Sequence, residues 1–205
     1  MPIIIPYDQA PQGSDAWKAM RLGIPTASEF SKIIKRNGDR SDQREAYLEK
    51  LVDERLTGRF ENPFELSAFR RGKEMEPESR ETFELQFGVE VRQVSFVYGD
   101  ERKIYGCSPD GLIGDNAGFE TKDAKSKVQY KRLQSNKLPS EHFHQVQGGL
   151  FVCKCELWYF RSYCRGMRSL TIEVERDEKF ISALEMQLES FCYELEQLVE
   201  KRRNA

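Results

Sequence analysis

Histidine and tryptophan are scarce in this chain, with two of each in 205 residues. Cysteine occurs five times, an odd number, and Cys153-Lys-Cys155 has no second cysteine pair at a zinc-site spacing. With only His142 and His144 to add imidazoles, structural zinc is not expected, and both histidines read as surface or packing residues. Cysteines without a regular framework point to a reducing compartment in which they stay as thiols. Apolar runs are short as well. Met1-Pro-Ile-Ile-Ile-Pro is apolar for only a few residues and has no basic leader, and no later stretch approaches a membrane-spanning length, so the expectation is a cytosolic protein without a membrane partner. An excess of positive charge is missing too: the formal net charge is −2. That excludes a general nucleic-acid coat protein, and contact with nucleic acid would need a local basic surface.

What is present suits one folded domain spanning residues 1–205, with 39% hydrophobic and 11% aromatic residues and no repeat or long linker. Helix is expected at Asp15 to Arg21. Thr26-Ala-Ser-Glu29 has the spacing of a capping box and predicts a second helix to about Lys35, ended by Asn37-Gly38. Apolar residues at helical spacing mark Gln43 to Leu56, Ala68 to Phe87 and Phe143 to Lys154. Val89 to Tyr98 and Arg102 to Cys107 read as a hairpin about Gly99-Asp100, with further strands at Gly118 to Lys122, Glu156 to Tyr163 and Ser169 to Glu175. The stripe Phe180, Leu184, Leu188, Phe191, Leu195 and Leu198 makes Glu178 to Arg202 a helix whose apolar face belongs in the core or at a subunit contact. The fold class is mixed α/β, a central mixed sheet flanked by helices.

The segment from Cys107 to Lys122 carries the chemistry. Asp110 follows a proline and precedes Glu120, while Glu120 and Lys122 are separated by one residue and so point the same way on a strand. A phosphodiester repels hydroxide, so its hydrolysis at neutral pH needs a cation on the phosphate oxygens and an activated water. Asp110 and Glu120 offer the oxygen ligands that Mg²⁺ and Mn²⁺ prefer. Lys122 adds a charge that can orient the water or stabilise the developing phosphate charge. Turn chemistry and cross-strand charge pairing would account for the same residues without any site.

Other candidates surround this segment. Lys122 to Lys137 contains Lys125, Lys127, Lys131 and Arg132 against the single acid Asp123, a composition suited to phosphate-backbone contact or to a solvated helix face. Arg21 with Thr26 and Ser28 can form an anion pocket, or Thr26 can simply cap a helix. Glu76 shares a helix face with Phe69, Arg80 and Phe83, and Gln145 and Gln147 lie on a largely apolar helix from which one can face the site.

In order along the chain, Gln12-Gly-Ser-Asp-Ala-Trp17, Arg21-Leu-Gly23, Thr26-Ala-Ser-Glu29, Gly72-Lys73 ahead of Glu76, Cys107-Ser-Pro-Asp-Gly-Leu112, Glu120-x-Lys122, Gln145-Val-Gln147 and Glu175-Arg-Asp-Glu-Lys179 resemble the phage lambda and viral alkaline exonuclease family. That family lies within the restriction-endonuclease-like PD-(D/E)xK superfamily. The resemblance implies a Mg²⁺-dependent enzyme, with Mn²⁺ as a substitute, that degrades one strand of linear double-stranded DNA from its 5′ end and leaves a 3′ overhang for recombination. It further implies a homotrimeric ring, a single-strand annealing protein as partner and, for a phage-encoded chain, the host cytoplasm. Carried over by position, Asp110, Glu120 and the Thr121 carbonyl are metal ligands, Lys122 positions the water, and Glu76 and Gln145 line the site. Arg21, Ser28 and Ser108 surround a 5′ phosphate, and Phe69 falls where the family places an apolar side chain that parts the strands.

The chain departs from the family at Thr121, where a bulky apolar residue is usual, and at Asp123-Ala124, where Cys-Pro is common. The arginine expected beyond the lysine has no clear match, with Lys125 and Lys127 both candidates. An endonuclease of the same superfamily and a non-catalytic DNA-end-binding scaffold are the competing expectations.

Overall fold

Glu120 and Lys122 lie on the strand that organises the molecule. The computed structural model describes residues 1–60 and 65–205, and side chains outside 61–74. In chain order the elements are β1 (Ile3–Pro6), α1 (Asp15–Arg21), a 3₁₀ helix (Ala27–Lys32), α2 (Arg44–Thr57), α3 (Glu65–Phe87), β2 (Val94–Tyr98), β3 (Gly106–Cys107), β4 (Gly111–Ile113), β5 (Ala117–Asp123), α4 (Ser126–Ser135), α5 (Phe143–Cys153), β6 (Leu157–Tyr163), β7 (Leu170–Glu175) and α6 (Glu178–Arg203), with a short 3₁₀ turn before α5.

The four-stranded sheet runs β4-β5-β6-β7. It is mixed: β5 pairs antiparallel with β4 and parallel with β6, and β6 pairs antiparallel with β7. The parallel pair requires a crossover, which α4 and α5 supply. Alternation along β5 sends Gly118, Glu120 and Lys122 to one face and Phe119 and Thr121 to the other. The second face packs on α3, where Phe83 meets Phe119 with ring centroids 4.7 Å apart. A smaller antiparallel sheet, β1-β2-β3, was not foreseen as a separate layer.

The main core lies between α5, α6, α2 and the first sheet face. Phe180, Leu184, Leu188, Phe191 and Leu195 of α6 are buried and Leu198 is partly buried, so the expected stripe serves the core of this chain. Tyr47 of α2 stacks on Phe191 at 5.6 Å, and Arg44, buried beside them, makes a two-pronged ion pair with Glu194 at 2.6 and 2.9 Å. All five cysteines are free thiols, as expected. Among the described residues, no helix is long and apolar enough to cross a membrane.

Three sequence expectations need correction. Thr26 makes no side-chain cap; its hydroxyl lies 3.3 Å from Ser28 Oγ and 3.5 Å from Arg21 Nη2, and a 3₁₀ helix ending at Lys32 replaces the longer helix. The Val89 to Cys107 hairpin is shorter in both strands. Gly99 N donates to the Tyr105 carbonyl, and Asp100 caps the turn by accepting from Arg102 N, so the chain turns over a longer loop than Gly99-Asp100. Finally, α3 begins at Glu65, ahead of Ala68, and stops at Gly88, whose φ of 65° suits a helix terminator.

Close approach between α5 and β5 depends on two glycines under one indole. A Cβ at Gly149 would lie 2.5 Å from the Trp158 ring, and one at Gly118 2.2 Å from it. Alanine in place of glycine within a helix ordinarily stabilises by about 1 kcal/mol, whereas overpacking a core costs about 1–3 kcal/mol. Gly149→Ala is therefore expected to lower the unfolding free energy measured by urea titration. A gain would show that Trp158 can shift without cost.

Candidate active site

Four segments converge on the first face of β5. Glu120, 3% exposed, receives Lys122 Nζ and Gln145 Nε2 on the same oxygen, Oε1, each at 2.5 Å. Gln145 reaches it because Gly149 lets α5 lie against Trp158. Asp110 arrives from the loop before β4, and its Oδ2 accepts the backbone N–H of Thr121 at 2.7 Å. This loop is held from below: the buried Gln12 amide donates to the Pro109 carbonyl at 2.9 Å and to the Val94 carbonyl at 3.1 Å.

Crowding sets the charge state. Burial, followed by the carboxylates of Glu120 and Glu76, pushes the Asp110 carboxyl well above the usual carboxylate range. Burial alone would lower the Lys122 ammonium, but Glu120 and Asp110 outweigh it and hold Lys122 above its ordinary value. Glu76 lies one turn along α3 from Arg80, on the same face and 3.8 Å away. Among the described residues, no three His, Cys, Asp or Glu side chains form a metal cage. The available donors are therefore two carboxylates and backbone oxygen, the kind of set that holds Mg²⁺ with water completing the octahedron. A divalent cation beside Asp110 would offset the repulsion that raises its carboxyl, so these residues fit the ion.

The opposite wall is an anion-type pocket. Ser108 Oγ accepts from Trp17 Nε1 at 2.9 Å and from Arg21 Nη1 at 3.1 Å, and the Arg21 guanidinium lies over the Trp17 ring at 4.5 Å. Stacking on the indole fixes the direction of the guanidinium. One cavity of about 180 Å³ is lined by both walls, including Gln12, Arg21, Ser28, Ser108, Asp110, Glu120, Lys122 and Gln145.

Not every expected residue lies there. Lys125 and Lys127 are exposed around the start of α4, away from the cavity lining, and Asp123 is exposed. Gln147 is structural: its amide donates to the Glu175 carbonyl and its oxygen accepts from Asp177 N. His142 and His144 are packing residues, in ring contact with Phe160 and Phe180 respectively. Phe69 and the Gly72-Lys73 pair lie outside the residues whose side chains are described.

Sequence reasoning gave no role to Gln12, Trp17 or Ser79. Ser79, 1% exposed on α3, lies 2.5 Å from Thr121 Oγ1 on the far face of β5. Thr121 is thus held on both sides, by Ser79 through its hydroxyl and by Asp110 through its N–H. The signal was a hydroxyl where the family resemblance leads one to expect an apolar side chain, because a buried hydroxyl needs a partner. Leaving one member of a buried pair unsatisfied costs about 1–3 kcal/mol, while replacing both with apolar groups can be nearly neutral. Ser79→Ala and Thr121→Val should each destabilise, and the double variant should lose less than their sum in chemical denaturation. Strict additivity would dissolve the pair.

Comparison with known proteins agrees with this arrangement. Residues 16–156, more than half of the chain, match the model of the YqaJ-like viral recombinase domain. Among solved structures, the alkaline exonuclease LHK-Exo from Laribacter hongkongensis is similar at a TM-score of 0.82 and 27% identity, over 93% of this chain and 96% of that one. Its complex with dAMP gives 0.80 at the same identity and coverage. A phage-related exonuclease from Haemophilus somnus 129PT shares the fold, with a TM-score of 0.64 and 13% identity over 87% of this chain and 96% of that one. No match is found among curated proteins. With Asp110, Glu120 and Lys122 set on a mixed sheet between helices, the chain belongs to the YqaJ-like viral recombinase family, among the phage and viral alkaline exonucleases of the PD-(D/E)xK superfamily.

Proposed function

We propose that this chain is a Mg²⁺-dependent exonuclease that digests one strand of linear double-stranded DNA from its 5′ end, leaving a 3′ overhang for phage-type recombination. One observation carries the reading: the acid–lysine cluster and the Arg21–Ser108 pocket line the same cavity. A site that only cut phosphodiesters would not need a second anion pocket beside the first. A site that removes terminal nucleotides does, because the 5′ phosphate measures the distance from the end. LHK-Exo was solved with dAMP, a deoxynucleoside monophosphate, which supports a mononucleotide product.

Asp110, Glu120 and the Thr121 carbonyl would hold Mg²⁺, or Mn²⁺ in its place. When bound, the ion supplies positive charge to the phosphate oxygens and a more acidic water. Lys122 orients the attacking water or stabilises charge that grows on the phosphate, and its contact with Glu120 fixes where its ammonium points. Gln145 holds Glu120 Oε1, and Glu76 adds negative potential from α3. Arg21, Ser28 and Ser108 receive the 5′ phosphate. Lys125, Lys127 and Phe69 are the remaining DNA contacts of this reading. Residues 1–205 act as one domain, the working form is a homotrimer enclosing DNA, the partner is a single-strand annealing protein, and the setting is the host cytoplasm. A ring accounts for processive digestion by a chain whose net charge is −2.

Digestion of linear duplex labelled at either end, with and without a 5′ phosphate, tests the reading. The 5′ label is expected to leave first and only with Mg²⁺, and closed circles should resist; early release of 3′ label would overturn the polarity. Lys122→Ala is expected to slow the chemical step about 100-fold or more. Arg21→Ala should abolish discrimination between phosphorylated and unphosphorylated 5′ ends, and retained discrimination would remove Arg21 from the pocket.

A further inference from the structure

Many basic side chains of this chain are matched by its own acids. Arg55 meets Glu196, Arg102 meets Asp100 and Glu189, Arg165 meets Glu78 and Arg202 meets Glu49. Around α4, Arg132 is matched in the same way by Glu141 at 3.3 Å, but the lysines are not. Lys125, Lys127, Lys131 and Lys137 are exposed, and none forms an ion pair among the described residues. The helix itself contains no acid. Lys127, Tyr130, Lys131 and Gln134 have the i, i+3, i+4, i+7 spacing of one helical face. All four are exposed, Tyr130 to 58%, and Gln134 donates to its hydroxyl at 3.1 Å.

The opposite side of α4 is fixed to the sheet beside the candidate site. The buried Gln129 amide donates to the Ser162 carbonyl at 3.1 Å and accepts from Ser162 Oγ at 2.6 Å, and Arg132 Nη1 donates to that same Oγ at 3.0 Å. Ser162 is the register partner of Lys122 across β5 and β6, so their side chains share a sheet face. Arg132 also contacts the His142 ring at 3.1 Å, and this ring stacks on Phe160, the register partner of Glu120. A rigid helix therefore presents an unneutralised lysine and tyrosine stripe one strand away from Lys122.

We infer that this face of α4 binds single-stranded DNA, with Tyr130 stacking on an unpaired base and Lys127 and Lys131 at the flanking phosphates. The inference rests on the exonuclease reading, because digestion of one strand leaves its complement unpaired beside the site. Duplex DNA would use the lysines and leave Tyr130 idle, since its bases are already stacked, whereas every unpaired base offers a π face. A face serving only solubility would carry both charge signs and would not expose an aromatic ring between lysines.

Fluorescence anisotropy with a labelled oligothymidylate and with a blunt duplex, both in EDTA so that nothing is digested, tests the site. Tyr130→Ala is expected to weaken single-strand binding about fivefold or more, as loss of one stacked base predicts. It should leave duplex affinity unchanged, and Tyr130→Phe should behave like the parent. The pair Lys127→Ala and Lys131→Ala should flatten the salt dependence of single-strand binding by about 1.4 in log–log slope. Unchanged single-strand affinity in Tyr130→Ala, or equal losses for both ligands, would overturn the assignment. Digestion by the parent is measured separately: Tyr130-dependent binding without Mg²⁺-dependent digestion would support the α4 site and sink the nuclease reading.

Discussion

The 2.7 Å hydrogen bond from the Thr121 backbone to Asp110 is the constraint around which the site is built. Asp110 and Glu120 come from different segments, and two carboxylates brought together without a cation repel one another. The cost is visible in Asp110, whose carboxyl is pushed up by burial and by the neighbouring acids. A backbone N–H is a donor that cannot rotate away, so it fixes Asp110 against that repulsion. Lys122 and Gln145 do the same for Glu120 by meeting at one oxygen, leaving the other free of these two contacts. Each acid is thus held by a group whose own position comes from regular structure, β5 for Thr121 and Lys122 and α5 for Gln145.

Regular elements and the acid–lysine pair were legible because they rest on periodicity. Alternation put Glu120 and Lys122 on one face of β5, and helical spacing placed Leu184, Leu188, Phe191 and Leu195 in the core. The residues that escaped notice act across the chain. Gln12 joins Val94 and Pro109, far away in sequence, through one amide, and no local pattern announces such a contact. Thr26 shows the converse. Its spacing to Glu29 fits a helix cap, but its hydroxyl lies with Ser28 and Arg21, because local capping competes with tertiary partners for the same oxygen.

Charge distribution connects fold to substrate better than net charge does. The helices away from the site, α2 and α6, lock together through Arg44–Glu194, Arg55–Glu196 and Arg202–Glu49, so much of the basic content there is neutral at short range. The exposed pairs among them contribute little to stability, yet they remove positive potential from the outer surface. Along α4, Ser126–Ser135, the exposed Lys127 and Lys131 have no ion-pair partner among the described residues, and the helix carries no acid of its own. A chain with a formal charge near zero can still present a local field to DNA when its cations are sorted in this way.

Thr121 stands where the family resemblance leads one to expect a bulky apolar residue. An apolar side chain there would pack against α3 by area alone, whereas threonine adds a directional bond to Ser79. Because α3 also carries Glu76, that bond couples the helix bearing the third carboxylate to the strand bearing Lys122. The carbonyl proposed as a metal ligand belongs to the same residue, so its orientation depends on contacts from both sheet faces. A helix shift of a few tenths of an ångström would therefore be felt at the site through a hydrogen bond rather than absorbed by a compliant apolar contact. Threonine leaves the proposed backbone ligand in place and changes what holds it.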